Sequence, residues 1–373
     1  MAVYKIFPEK DATIYSEYPT MNTGIDEILE ATTATGGPSV GETPEATRFL
    51  IKFTDSEINS VLSSKVTGTF AAHLKLYMAK VEGLGQTTTL ECYPVSGSWQ
   101  NGTGKYLDNP IVTDGVSWTY RNSSGSGAWP TSTFGIYATA SFTGSDAGGG
   151  TWYTGSALGL NIVQTAAYEY RSEFDIDLDV TNTILTWHSG SLINDGFIIK
   201  QSQADEFSTD TAKRVEFKYF SADTNTIYPP CLEFRWDDSS YNTGSLTVLS
   251  DSQVAITLPN NVGTYHSESI QRFRVNARPQ YPARTFTTSS LYTTTYALPA
   301  ATYYAVKDLD TNEFVIDFDT NYTKVSCDSN GSYFDLYMNG LEPERYYKIL
   351  IKTTIDGSTM VVDNNYYFKV ING

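Results

Sequence analysis

The run Leu90-Glu91-Cys92-Tyr93-Pro94-Val95 constrains the fold of this chain more than any other stretch. Leu90, Cys92 and Pro94 fall on one side and Glu91, Tyr93 and Val95 on the other, a period of two that belongs to a pleated strand. Ser96-Gly97-Ser98 breaks the strand, and Trp99 stands at its exit. The same grammar recurs along the first 236 residues. Short strands are expected at 3–7 and 11–16, a buried strand from Arg48 to Phe53, and a half-buried one over 66–78. Further strands are expected from Gly196 to Lys200, over 214–221 and over 230–236. Two short helices interrupt them. Thr54 or Asp55 can cap one that runs toward Val61, and Val180, Ile184 and Trp187 share a face of another that Gly190 ends.

Residues 237–247, DDSSYNTGSLT, are polar and turn-rich and read as a linker. Strands then follow near 252–258, 270–276, 302–307, 313–318 and 322–327. Asn330-Gly331 turns into 332–338, and Asp356-Gly357 joins 346–355 to 358–371, both in the manner of tight hairpins. The expected division is therefore 1–238 and 239–373, and at 373 residues each part is large enough to bury its own core. Composition agrees, with 27 tyrosines and only 18% charged residues, a usage that favours strands and turns.

Forty-two acidic residues against 25 basic give a net charge of −17. A surface this negative is repelled by phosphate backbones and anionic lipids, so no nucleic-acid partner and no membrane insertion are expected. Cys92, Cys231 and Cys327 are dispersed and odd in number, which reads as buried small hydrophobes and neither a disulfide framework nor a zinc site. The opening MAVYKIFPEKD has no apolar core of the kind a signal peptide needs. A glycan-facing composition without an export signal or paired cysteines is reconciled by a virus particle, whose parts fold in host cytosol and are released by lysis.

Several segments carry a family resemblance. They are Asp11 to Ser16, Arg48 to Phe53 with Thr54-Asp55, Leu74-Lys75-Leu76-Tyr77, Leu90 to Trp99, and Asp179-Val180-Thr181 with Ile184 and Trp187. Asn194 to Lys200, Tyr219-Phe220-Ser221 and Pro230 to Phe234 complete the series. In this order they resemble the DNRLRE-type jelly-roll domains, relatives of carbohydrate-binding modules found in bacterial surface proteins and phage structural proteins. The loop at 31–47 and an aromatic insertion at 100–160 depart from that pattern. In the second part, Leu341, Pro343 and Tyr347, followed by Ile349 and Ile351, resemble the tyrosine corner of fibronectin-III and immunoglobulin-like sandwiches. The two resemblances imply an all-β chain, a jelly-roll β-sandwich plus a C-terminal immunoglobulin-like β-sandwich.

Candidate sites are few. Gly37-Pro38-Ser39-Val40-Gly41 matches the nucleophile elbow, but threonines and GETPEA flank it where a buried strand and a helix are required. His73, His188 and His266 each stand apart from any second ligand-type cluster. Asp175, Asp177 and Asp179 alternate with Phe174, Ile176 and Leu178, so the three carboxylates read as a solvated strand face and not as a calcium loop. No catalytic residue, cofactor or metal is therefore expected, and the chain is read as a non-enzyme. The sharpest candidates are the rings of the insertion: Trp118, Tyr120, Trp129, Trp152 and Tyr153. Such rings either plug into a neighbouring subunit or pack on sugars. The expected function is a structural protein of a tailed-phage virion, in its tail, baseplate, neck or capsid decoration. It would dock to other virion proteins as a symmetric homo-oligomer. The alternative is a carbohydrate-binding module that recognises host surface glycans.

Overall fold

The computed structural model describes residues 2–33, 46–129, 137–139, 148–206, 208, 210–251, 253–282 and 294–372. The fold is all-β with short helices, and the chain divides into two compact units. The N-terminal unit comprises Ile6–Ser64 and Ala71–Glu233; the C-terminal unit takes Phe234–Gly373 together with Met1–Lys5 and Lys65–Phe70.

In the N-terminal unit a five-stranded antiparallel sheet runs Gln164–Tyr168, Thr88–Pro94, Phe197–Gln201, Thr47–Lys52, Lys10–Tyr15. A three-stranded sheet of Ile28–Thr32, Glu216–Phe220 and Met78–Glu82 packs on it. Alternation decides the core. Phe49, Ile51, Leu90, Cys92, Phe197 and Ile199 face the second sheet, where Phe49 meets Tyr219 with ring centroids 5.9 Å apart. Helix Asp55–Ser64 buries Ile58 and Val61, and helix Thr181–His188 sets Trp187 against Phe197.

The break after Val95 has a concrete cause. Asp195 accepts the Gly97 N–H on its carboxylate and the Trp99 indole N–H on its carbonyl, each at 2.9 Å. Asn194 donates to the Phe53 carbonyl and to Asp55, so the Asn194-Asp195-Gly196 turn ties two loops together. Gly196 is required there: its φ is +91°, and a Cβ would lie 2.4 Å from the Ile51 carbonyl oxygen.

The aspartate triplet lies outward on strand Ile176–Asp179 and its approach. Asp177 pairs with His73 at 2.7 Å and with Lys75, Asp175 accepts the Met78 N–H, and Asp179 accepts from Thr181. The three cysteines are buried and free. The elbow-like sequence at 37–41 lies outside the described residues.

In the C-terminal unit two sheets form a sandwich. One runs Val254–Thr257, Ile270–Pro279, Gly331–Tyr337, Ser326–Asp328; the other runs Thr264–His266, Ser358–Ile371, Tyr346–Ile355, Thr302–Asp308, Phe314–Ile316. Phe273, Val275, Phe334 and Leu336 of the first meet Tyr304, Val306, Ile349, Ile351 and Phe368 of the second. Tyr304 and Phe334 stack at 4.2 Å. Asp356 and Gly357 both take positive φ, 49° and 75°, as a two-residue turn matched to strand twist requires. The Tyr347 phenol donates to the Glu342 carbonyl at 3.0 Å, which is the hydrogen bond the tyrosine-corner spacing implies.

Residues 237–247 are not a free linker. The Asn242 N–H donates to the Cys327 carbonyl, the Cys327 N–H to Ser240, and the Tyr241 phenol to Leu298, so this stretch lies along the sandwich as an added edge. The amino terminus joins the same unit because Val3 is buried in its core and the Tyr4 ring packs on Tyr337.

Candidate functional site

The aromatic insertion covers one face of the five-stranded sheet. Register places Tyr93, Ile198, Leu50 and Ala12 in a row across four strands, with Glu91, Lys200, Arg48 and Ile14 following on the same face. Ala12, Ile14, Leu50, Val95 and Ile198 form a second core there, with Trp99, Val116, Trp118, Trp129 and Trp152. Three of the five candidate rings, Trp118, Trp129 and Trp152, therefore point inward, and Tyr153 is buried as well. Tyr120 is half-buried in a turn bridged to Ala128. The expectation of rings held out for a neighbour is corrected for these four. Burial against the sheet removes the apolar area of these rings from water.

Charge accounts for how the cover is seated. Arg48, 1% exposed, grips Glu206, also 1% exposed, through two parallel N–H···O bonds of 2.8 Å. Its remaining arm donates to the Gly149 carbonyl at 2.6 Å, and its guanidinium lies 4.8 Å from the Trp118 ring and 5.3 Å from the Trp152 ring. Glycines make this approach possible. Gly148, Gly149 and Gly150 all have positive φ, and a Cβ on Gly149 would lie 2.6 Å from Trp118 and 2.7 Å from Arg48.

Lys200 completes the cluster. Its ammonium is 3.0 Å from Glu91 and 3.6 Å from Glu206, and it donates to the Gln201 carbonyl. Tyr93 donates to Glu91 at 3.0 Å, and burial, reinforced by that carboxylate, pushes its phenol well above the usual range. Two cations and two carboxylates sum to zero, so the cluster is neutral and internally satisfied. Glu206 reaches it from a short helix, Gln203–Glu206, whose Asp205 accepts the Thr89 N–H and pairs with Lys213 at 2.8 Å. This arrangement can clamp a loop to a sheet. Both of its carboxylates are paired, Glu206 with Arg48 and Lys200 and Glu91 with Lys200.

Alternation places Arg48 and Lys200 within apolar strands but does not name their partners. The signal that could have found them is a cation interrupting a run such as Arg48-Phe49-Leu50-Ile51 or Phe197-Ile198-Ile199-Lys200. A buried cation needs a buried anion.

No family model and no curated protein matches the chain. Among solved structures, a DUF4785 family protein from Legionella pneumophila aligns at 7% identity and a TM-score of 0.16, over 100% of this chain and 62% of that one. The β-glucuronidase of Parabacteroides merdae aligns at 9% identity and a TM-score of 0.16, over 96% of this chain and 35% of that one. This chain thus spans less than two thirds of either, and such TM-scores establish no shared fold.

Among the described residues, no helix is long and apolar enough to cross a membrane, and no group of three or more His, Cys, Asp or Glu side chains converges on a metal site.

Proposed function

We propose that the chain is a structural docking protein of a tailed-phage virion, and that its β-sandwich units serve as stiff frames contacting other virion proteins. The jelly-roll and immunoglobulin-like arrangements remain part of this reading, supported by the ordered segments of the N-terminal unit and by the Tyr347 corner. The observation that carries it is the seating of the insertion. An arginine clamp, three inward tryptophans and three glycines fix the described parts of the insertion, within 100–129 and 148–160, onto a sheet. That construction yields a preformed body, and a preformed body loses little entropy when it docks.

The reading is tested by mass spectrometry of purified particles from the phage that encodes the chain. The protein is expected at stoichiometric copy number, and its absence ends the idea. The glycan-binding alternative would now need rings other than Trp118, Trp129, Trp152 and Tyr153, because sugars cannot reach side chains already buried.

A further inference from the structure

We infer that the outer face of the five-stranded sheet in the C-terminal unit binds the acidic N-terminal unit of a second copy of this chain, head to tail. The inference rests on the docking reading for the presence of repeated copies, and it adds the face and the occupant.

Charge is divided unevenly between the units. The C-terminal unit holds 13 basic and 15 acidic residues, a net of −2, which leaves 12 and 27, a net of −15, in the N-terminal unit. Within the C-terminal unit, alternation sends Tyr347, Ile349 and Ile351 into the core and Tyr346, Lys348, Leu350 and Lys352 outward. Register then sets Lys348 between Lys307 and Tyr367, Lys307 beside Phe314, Lys352 between Tyr303 and Val361, and Lys369 beside Tyr346. Four lysines are thereby interleaved with apolar side chains. Val361 is 53% exposed, Tyr346 51%, Phe314 44% and Tyr367 42%. Exposed apolar side chains grouped on one face mark an interaction surface, and the lysines among them set the sign of the partner it selects.

Two of the lysines have carboxylate partners. Asp363 holds Lys348 at 2.5 Å and Glu344 holds Lys369. Lys307 and Lys352 close no ion pair with a described residue; their ammoniums lie 5.1 Å from the Phe314 ring and 5.4 Å from the Phe318 ring. Lys307 and Lys348 stand directly opposite each other, and like charges in that relation destabilise a sheet. Asp363 offsets part of this repulsion, and an incoming carboxylate would offset the rest.

The occupant follows from charge. Pairing the face with itself would set Lys307 and Lys352 against like charge, because Asp363 and Glu344 are already held by Lys348 and Lys369. The N-terminal unit of another copy supplies the complementary sign in excess. Such a contact is heterologous, so it propagates into a ring or a filament and does not stop at a dimer.

Sedimentation velocity of the full chain, over a range of concentrations at low and high salt, tests this. Self-association is expected at low salt and should weaken as salt rises. Lys307→Glu combined with Lys352→Glu should raise the dissociation constant at least about tenfold without altering the circular dichroism spectrum. Arg272→Gln, on the other sheet of the sandwich, should leave it unchanged. A fluorescent charge-reversed chain keeps its acidic unit, so it should still co-sediment with the wild type.

A monomer at every concentration and salt overturns the inference, as does association indifferent to the charge reversal. Lysine-dependent retention on an immobilised anionic polysaccharide by a chain that stays monomeric would also overturn it, by assigning the face to another occupant. A chain found in particles yet monomeric in solution sinks this inference alone. Absence from particles removes the docking reading and leaves a measured self-association standing.

Discussion

Two sheet faces in this protein are built from the same materials and put to opposite use. On the N-terminal unit, Arg48 and Lys200 lie among Trp118, Trp152 and Tyr93, sealed under an insertion and neutralised by Glu206 and Glu91. On the C-terminal unit, Lys307 and Lys352 lie half-buried beside Phe314 and Phe318 and close no ion pair with a described residue. Cation and ring together therefore do not define a site. What separates the faces is whether the chain spends a loop to close them. Closed, the pair stiffens the fold; open, the same pair remains available to a partner.

The contrast can be broken most forcefully at the sealed face. Glu206→Leu should destabilise the chain by about 3–5 kcal/mol, because it strands a buried guanidinium. Pairing it with Arg48→Met should recover much of the loss, since an apolar pair of similar volume asks for no counter-charge. Denaturant melts of the single and double variants measure both. Trp118→Ala should also cost about 3–5 kcal/mol through lost burial and the cavity left behind. A loss below about 1 kcal/mol in that variant would show that the ring is not core.

A buried acid without a cation sharpens the same comparison. Asp11 is buried, closes no ion pair with a described residue and accepts the Ala222 N–H at 2.7 Å. Burial is the main reason its carboxyl is pushed up to about 7, the Ala222 N–H opposing and the nearby Asp223 charge adding to the rise. The folded state thus holds this proton more tightly than the unfolded state. Its contribution to stability is full below about pH 4 and is lost as pH rises through about 7. Asp11→Asn removes the titration, so the stability of the variant relative to wild type should grow from pH 4 to pH 8. Parallel stability–pH curves would refute the assignment. At the open face, Lys352→Glu should change the melting free energy of the monomer by no more than about 0.5 kcal/mol, as expected of a surface site.

Most of the architecture was legible because alternation and turn chemistry are local. The strands around Cys92, Phe49 and Ile351, the Asp356-Gly357 turn and the phenol of Tyr347 all follow from spacing within a few residues. What was not legible is non-local. Whether Trp118 faces water or Arg48 depends on a loop far from Arg48 in the sequence returning to it, and composition favours exposure for rings set among glycine and serine. The 237–247 stretch failed for a related reason. Its polar side chains describe a linker, whereas its backbone groups pair with Cys327 and its Tyr241 ring reaches Leu298. The lysine–aromatic face was hidden because its members lie on four strands, joined only through register.

Hydroxyl-radical footprinting of the dilute full chain, read residue by residue by mass spectrometry, tests the contrast between the two faces most directly. Phe314, Tyr346 and Tyr367 should oxidise rapidly, while Trp118, Trp129 and Trp152 should stay protected until the chain unfolds. Tryptophans labelled as fast as those three rings would contradict the sealed face, and protection of the three in the monomer would contradict the open one.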